Sequence, residues 1–284
     1  MELRPLYVGA FGVGTTLALL FLLRLVQRSR TPEKEGIDAN PARALLHVGE
    51  LLAVFLVSAA AVRNCVTGER VLRDVAWVAA FGVVALALLV LTGRIGISVL
   101  MRARLASEID RKNVAAGAAA GAHYIACGIV TAESFAGHDA PALGRSLAFF
   151  ALAQLTLLAF VTLFRALTTY DDAEEIRGEN LAAALSYGGL AIAVALIVGR
   201  ALEGDFVAWG VSLRGYAGAL PWVLALYPVR QLFVQTLLLG APFTLRGGRL
   251  DHAIQAQRSA AMGALEAASY VATALSVSRL YASS

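Results

Sequence analysis

The chain contains about eight apolar segments that are each long enough to cross a lipid bilayer as a helix. They lie at roughly 6–27, 41–62, 74–100, 114–135, 143–168, 181–201, 217–243 and 259–280. A helix rises about 1.5 Å per residue, so about 20 apolar residues span a hydrocarbon core of about 30 Å. None of these segments alternates polar and apolar residues as a barrel strand would. The sequence therefore predicts an all-α, polytopic membrane protein with about eight transmembrane helices.

The composition supports a chain surrounded by lipid. Apolar residues make up 58% of it, charged residues only 15%, and the mean hydropathy is +0.69. Soluble domains usually carry about 25% charged residues. The net charge of +4 does not indicate nucleic-acid binding, because the basic residues lie at the ends of apolar segments and form no face interleaved with aromatic residues. The predicted partner is therefore the lipid bilayer and not a nucleic acid.

One sequence motif recurs where charged stretches meet apolar segments. "SEIDRKNVAAG" at Ser107–Gly117 and "EEIRGENLAAA" at Glu174–Ala184 share a Glu-Ile pair, three residues, Asn, one residue and Ala-Ala. "GIDANPARALL" and "AIQAQRSAAMG" are looser copies. Asn and Ser are favoured helix N-caps, and the alanines after them favour helix formation and close helix packing. The predicted cap residues are Asn40, Asn113, Asn180 and Ser259.

The four copies of the motif predict an internal repeat. Each copy precedes an even-numbered apolar segment, so the repeating unit is a pair of helices. Asn40 and Asn180 lie 140 residues apart, and Asn113 and Ser259 lie 146 apart, which groups the four units into two halves. The predicted domains are residues 1–138 and 139–284, with four spans each. An even number of spans per half predicts two parallel repeats about an axis near the membrane normal.

The distribution of basic residues predicts the orientation of the chain. The loops that carry the motif hold more Lys and Arg than the opposite loops. Because such residues accumulate on the cytoplasmic side of bacterial membranes, the motif loops are predicted to be cytoplasmic and both termini outside.

The repeated motif also carries a family resemblance. "EIDRKNVAAG", "EEIRGENLAAAL" and "GRIGISVLMRARLASEI" together resemble the YjfL-type bacterial inner-membrane family, which is domain of unknown function 350. The resemblance runs from about Ile37 to Leu280 and implies two tandem copies of the domain. It implies a multi-pass helical protein of the bacterial inner membrane, and it supplies no catalytic residues.

Ionisable residues inside the spans are the candidate site, because each costs about 2.5–3.5 kcal/mol on insertion scales. The candidate intramembrane polar site consists of Glu50, Arg94, His123, Arg230 and Glu266. Helical spacing from the cap residues predicts one polar stripe on the even spans, lining a common interior. Arg94 or Arg230 would neutralise Glu50 or Glu266. Arg165, near the end of a span, is instead predicted to reach the membrane interface as an anchor.

The sequence offers no catalytic or metal-binding motif. It lacks a Walker A sequence, GxSxG and HExxH, and its loops are too short for a soluble catalytic domain. His47 and His123 lie on different spans, and neither has a second ligand one turn away. Cys65 and Cys127 form no CxxC pair. The predictions are therefore no enzymatic activity, no cofactor and no metal.

Two functions remain open at this level. The polar residues could form a pathway or site for a small ion, proton or solute, in a transporter or channel-like protein, or they could simply hold the helices together. Alternatively, the acidic segment "YDDAEEIRGEN" could hold a soluble cytoplasmic protein, in a membrane scaffold or stress-response partner. A homo-oligomer formed through small-residue faces is compatible with either function.

Overall fold

The structure, a computed structural model, describes residues 3–30, 37–203 and 206–281. Within these ranges the chain is helical and contains no strand. The α-helices are α1 (Leu3–Arg30), α2 (Pro41–Cys65), α3 (Val71–Met101), α4 (Leu105–Asp110), α5 (Val114–Ser134), α6 (Ala140–Ala166), α7 (Asp172–Arg177), α8 (Leu181–Arg200), α9 (Trp209–Arg230), α10 (Arg249–Gln255) and α11 (Ala260–Tyr281). A 3-10 turn (Ile37–Ala39) precedes α2, and α9 continues as a π-helix (Gln231–Leu238).

Eight of these helices are long and apolar enough to cross a membrane, which confirms the predicted fold class. They are α1, α2, α3, α5, α6, α8, α9 and α11. The three short helices α4, α7 and α10 lie in stretches that the sequence analysis treated as charged loops. Each is six or seven residues long and precedes an even-numbered span. Helices this short are unstable alone, so burial against the bundle must hold them.

The long helices form two layers. The even-numbered spans pack side by side in a row, in the order α2, α5, α8, α11. The odd-numbered spans cover one side of this row: α3 contacts α2 and α5, α6 contacts α5 and α8, and α9 contacts α8 and α11. Helix α1 contacts α2 and α3. The pair α5 and α8 therefore joins the first half of the chain to the second.

Small residues set the spacing within the row. A Cβ atom added at Gly117 in α5 would lie 2.3 Å from the carbonyl oxygen of Ala42 in α2. A Cβ added at Gly263 in α11 would lie 2.3 Å from the carbonyl oxygen of Ala182 in α8. These two pairs are related by the same offsets, 146 and 140 residues, as the cap residues. The two halves therefore repeat the same interface residue for residue.

The cap residues begin the even spans. The side-chain oxygens of Asn40, Asn113 and Asn180 accept hydrogen bonds from backbone N–H groups in the first turn of α2, α5 and α8, at 3.0 Å. In the fourth copy, the hydroxyl of Ser259 accepts from the N–H of Met262 at 3.4 Å. Each cap satisfies a backbone donor that has no partner within its helix.

The asparagines also make a second bond that links consecutive units. The side-chain N–H of Asn40 donates to the carbonyl of Ile109, at the end of α4, at 2.8 Å. Asn113 donates in the same way to Ile176 at 2.8 Å, and Asn180 to Ile254 at 2.9 Å. Each motif asparagine therefore holds the motif isoleucine of the next unit. In the fourth unit, the serine that replaces asparagine has no side-chain amide to donate.

We expect Asn113→Ser to lower the unfolding free energy by about 1–3 kcal/mol, because the buried side-chain amide of Asn113 donates both to the Ile176 carbonyl and to Glu108 Oε2, each at 2.8 Å. Serine keeps the N-cap and removes both bonds, the link to the next unit and the bond within its own unit. Thermal unfolding of the purified protein in detergent measures the change. Ser259→Asn is the matched control and should stay within about 0.5 kcal/mol, because Asn and Ser cap comparably. Equal stability of Asn113→Ser and wild type would contradict a stabilising role for the link.

Candidate functional site

The structure places four of the five candidate residues in three separate polar groups rather than around one interior. Glu50 belongs to an edge group between α1 and α2. His123 belongs to a central polar line, formed by Gln154, Cys127, His123 and Tyr187. Arg230 and Glu266 belong to an inner charge cluster, formed by Arg165, Asp172, Arg230, Asp251 and Glu266. Arg94 is half-buried on α3 and interacts with Tyr124.

The edge group is a set of hydrogen bonds between side chains of α1 and α2. The side-chain N–H of Gln27 lies 2.7 Å from each carboxylate oxygen of Glu50. Nδ1 of His47 lies 2.7 Å from Glu50 Oε2, and Arg24 contacts the other ring nitrogen of His47 at 3.2 Å. Glu50 therefore has hydrogen-bonding partners at both of its oxygens. Gln27 was not identified from the sequence, because an uncharged residue in an apolar span gives no electrostatic signal.

The central polar line crosses the interface between the two halves. The hydroxyl of Tyr187 in α8 lies 2.8 Å from Nδ1 of His123 in α5. On the other side of the ring, Nε2 lies 3.6 Å from the sulfur of Cys127. The side-chain N–H of Gln154 in α6 donates to the same sulfur at 3.5 Å. Helices from both halves thus contribute to one chain of polar contacts.

This line lies near the middle of the bilayer and is shielded from its surroundings. His123 is the tenth residue after its cap, which places it about 15 Å along the helix, or about half the hydrocarbon thickness. Only 2% of its surface is exposed. A Cβ added at Gly96 in α3 would lie 2.2 Å from His123 Nε2, so this glycine makes the space for the ring. Polar groups this deep must find their partners within the protein.

The inner charge cluster centres on the guanidinium of Arg230, which is completely buried. Its Nε donates to Glu266 Oε1 at 2.7 Å, and its Nη2 donates to Asp251 Oδ1 at 2.8 Å. The other carboxylate oxygen of Asp251 accepts from the backbone N–H of Thr169 at 3.1 Å. The short helix α10 therefore places a carboxylate beside the arginine of α9. Buried charges of this kind require pairing and hydrogen bonds.

Arg165 belongs to the same cluster, so the prediction that it reaches the membrane interface is wrong. Its Nε and Nη2 donate to both oxygens of Asp172, and its Nη1 donates to Ser186 at 3.1 Å. The side chains of this pair are only 8% and 5% exposed. Burial raises the pKa of the Asp172 carboxyl, and the charge and hydrogen bonds of Arg165 oppose the shift. Asp172 is the first residue of helix α7, which the sequence analysis treated as part of a charged loop, and this helix places the carboxylate beside Arg165.

A cavity of about 540 Å³ opens at the end of the bundle opposite the caps. Its lining has charges of both signs, Glu133, Arg145, Arg200 and Glu203, together with serines and aromatic residues. It lies where α5 and α8 end and α6 and α9 begin. Phe150, which is buried, lies one helical turn from the cavity residue Ser146 and one turn from Gln154. Along α6, the buried Phe150 therefore lies between the cavity and the residue that this helix contributes to the central polar line.

Within the described ranges, no group of three or more His, Cys, Asp or Glu side chains is arranged to hold a metal ion. Both cysteines are buried and unbridged. The sequence analysis did not identify Gln154, Asp172 or Asp251 as members of these groups. Asp172 and Asp251 lie outside the spans, where an acidic residue is ordinary, so their position gave no signal.

Eight apolar helices in two repeated halves, with polar groups sealed between them, define a multi-pass α-helical membrane protein. The family model for Domain of Unknown Function (DUF350) matches the chain twice, over residues 3–135 and 139–280. The chain belongs to this family and carries two tandem copies of its domain. No curated protein and no solved structure matches it.

Proposed function

We propose that this is a non-enzymatic membrane protein that conducts or transports protons or a small cation through the interface between its two halves. The observation that carries the proposal is the central polar line at the middle of the bilayer, where His123 and Tyr187 bond across that interface at 2.8 Å. Histidine exchanges protons near neutral pH, and its two ring nitrogens can take up and release a proton on opposite sides. Ionisable residues inside a membrane commonly mark such pathways.

The surrounding structure supports a pathway with two ends. At one end of the line is Gln154 of α6, and residues near the start of the same helix line the cavity of about 540 Å³ on the uncapped side. Toward the capped side, Ser186, next to Tyr187 on α8, accepts a hydrogen bond from Arg165 of the inner charge cluster. The buried Phe150 closes the line from the cavity. Conduction thus requires a movement at α6, as in proteins that expose a central site alternately to each side.

We also propose that the capped side faces the cytoplasm of a bacterial inner membrane, with both termini outside. The proposal rests on the excess of Lys and Arg in the motif loops. Arg102, Arg111 and Lys112 are exposed at that end of the bundle.

The scaffold alternative receives less support from the structure. The acidic segment that would hold a partner makes contacts within the chain instead. Asp171 pairs with Arg102 at 2.8 Å, and Glu179 pairs with Arg111 at 2.8 Å. Glu175 accepts from Asn180, and Asp172 is buried against Arg165. Recruitment of a soluble partner through this segment would therefore have to displace bonds that already hold the repeats together.

Proton flux into liposomes tests the proposal. With an imposed membrane potential and a pH-sensitive dye inside, we expect Tyr187→Phe and His123→Gln to lower flux at least about tenfold, equivalent to about 1.4 kcal/mol. Ser58→Ala is the control, because it removes a buried hydroxyl from α2 that donates to the Val54 carbonyl of the same helix, and α2 contributes no residue to the line. Sodium and potassium gradients without a proton gradient distinguish a cation from a proton.

Unchanged flux in both line variants would overturn the proposal. Flux that falls only with Glu50→Gln would assign conduction to the edge group instead.

A further inference from the structure

The inner charge cluster holds unequal numbers of opposite charges. Two guanidinium groups, Arg165 and Arg230, face three carboxyl groups, Asp172, Asp251 and Glu266. With every group ionised, the sum is two minus three, or one surplus negative charge. All five side chains are at least nine-tenths buried. An uncompensated charge in such a place costs several kcal/mol, so a further positive charge must balance it.

Hydrogen-bond donors are divided unevenly among the three carboxyl groups. Both oxygens of Asp172 accept from Arg165. Asp251 accepts from Arg230 at one oxygen and from Thr169 at the other. Glu266 accepts from Arg230 at Oε1 only, and within the described residues its Oε2 has no hydrogen-bond partner although it is fully buried. Because donors favour the ionised form, the ionised forms of Asp172 and Asp251 receive more hydrogen-bond stabilisation than that of Glu266.

The oxygen that remains suits a proton better than a metal ion. Metal cations such as Ca²⁺ and Mg²⁺ take six or more oxygen ligands, whereas a proton needs one. Of the other five carboxyl oxygens in the cluster, four accept hydrogen bonds from arginines, and the fifth, Asp251 Oδ2, accepts from Thr169. Glu266 Oε2 is thus the one carboxyl oxygen of the cluster, among the described residues, without a donor.

We propose that Glu266 Oε2 is a proton-binding site, so that at neutral pH the cluster contains a neutral glutamic acid hydrogen-bonded to the Arg230 guanidinium. The site belongs to the second half alone, because the residue equivalent to Glu266 in α5, 146 positions earlier, is Ala120. Its occupancy does not depend on transport through the central polar line. The titratable and charged groups around it are Arg165, Tyr170, Asp172, Tyr227, Arg230, Asp251 and Tyr270.

Infrared spectroscopy of the whole protein in lipid vesicles tests this site. At about pH 7, well above the ordinary Glu pKa of about 4.3, the wild type should show the carbonyl stretch of a buried, protonated carboxylic acid. We expect Glu266→Gln to abolish this band. Glu50→Gln should leave it unchanged, because Glu50 has hydrogen-bonding partners at both oxygens. This control makes the same substitution of glutamine for a buried glutamate in another transmembrane helix, α2.

A second measurement uses the wild-type protein, so it tests the site even if the Glu266→Gln variant does not fold. Growth with glutamate labelled with carbon-13 at the side-chain carboxyl should shift the wild-type band, whereas a proton on Asp172 or Asp251 would leave it in place. Absence of the band in the wild type, its persistence in Glu266→Gln, or its loss in Asp172→Asn alone would each overturn the proposal. Normal proton flux in Glu266→Gln, which lacks the band, or a reduced flux in His123→Gln with the band still present, separates this site from the conduction pathway.

Discussion

Replacing Arg230 with methionine is expected to lower the unfolding free energy by about 3–5 kcal/mol. The substitution removes a fully buried guanidinium that donates to Glu266, Asp251 and Gln231. Asp251, 1% exposed, would lose the arginine that pairs with it. Thermal unfolding in detergent, followed by size-exclusion chromatography, measures the loss.

Two comparisons test the reason for that loss. Asp251→Asn in the Arg230→Met background removes the stranded carboxylate, and it should recover at least about 1.4 kcal/mol, a tenfold change in the folding equilibrium. Arg63→Met is the matched control: its side chain is 64% exposed and pairs with Glu133 at 3.5 Å. Exposed pairs contribute about 0–1 kcal/mol, so this variant should unfold close to the wild type. An Arg230→Met protein as stable as Arg63→Met would show that the cluster is not a stabilising network.

Gly117→Ala is expected to destabilise the protein by about 1–3 kcal/mol, although alanine is the better helix former. The added methyl group would lie 2.3 Å from the carbonyl oxygen of Ala42 and 2.7 Å from its Cα, so the backbones of α2 and α5 must separate. Backbone cannot rotate away as a side chain can. Gly263→Ala should have a similar effect, because the same contact recurs between α11 and α8.

Gly12→Ala is the control for this prediction. Gly12 is also helical, but nothing lies within 4 Å of an added Cβ there. Helix propensity alone then predicts a gain of about 0.5–1 kcal/mol. The two substitutions are chemically identical and should change stability in opposite directions, as measured by unfolding temperature. Stability changes of the same sign in Gly117→Ala and Gly12→Ala would contradict the claim that close backbone contact sets the helix spacing in the row.

The sequence was sufficient for the architecture because lipid imposes strong local rules. Apolar length, helical period and cap residues are readable along the chain, and they predict eight helices in two halves. The partnership of Arg230 with Glu266, one of four pairings considered, joins two helices that are 36 residues apart. Charge alone made that pairing plausible, but it could not exclude Glu50 as the partner.

What the sequence could not show depends on which helices become neighbours. Glu50 and Glu266 lie at opposite ends of the row, on α2 and α11, so one shared interior is geometrically excluded. Asp172 and Asp251 enter the inner charge cluster only because α7 and α10 fold against the bundle. The sequence feature that could have indicated these short helices is the motif isoleucine. It is Ile176 in α7 and Ile254 in α10, and both side chains are fully buried. The sequence shows that this isoleucine precedes the cap residue of its own unit. It does not show that the isoleucine carbonyl accepts a hydrogen bond from the asparagine of the preceding unit.

The link from each motif asparagine to the following isoleucine gives the chain a direction of assembly. As the polypeptide leaves the ribosome, Asn40 can cap α2 at once, yet its amide has no acceptor until Ile109 has been made. The same delay recurs at Asn113 and Asn180, each waiting for a carbonyl more than sixty residues downstream. Each newly synthesised helix pair that begins with a motif asparagine therefore presents an unfilled bond that only the next pair can complete, whereas Ser259 carries no side-chain amide to leave unfilled.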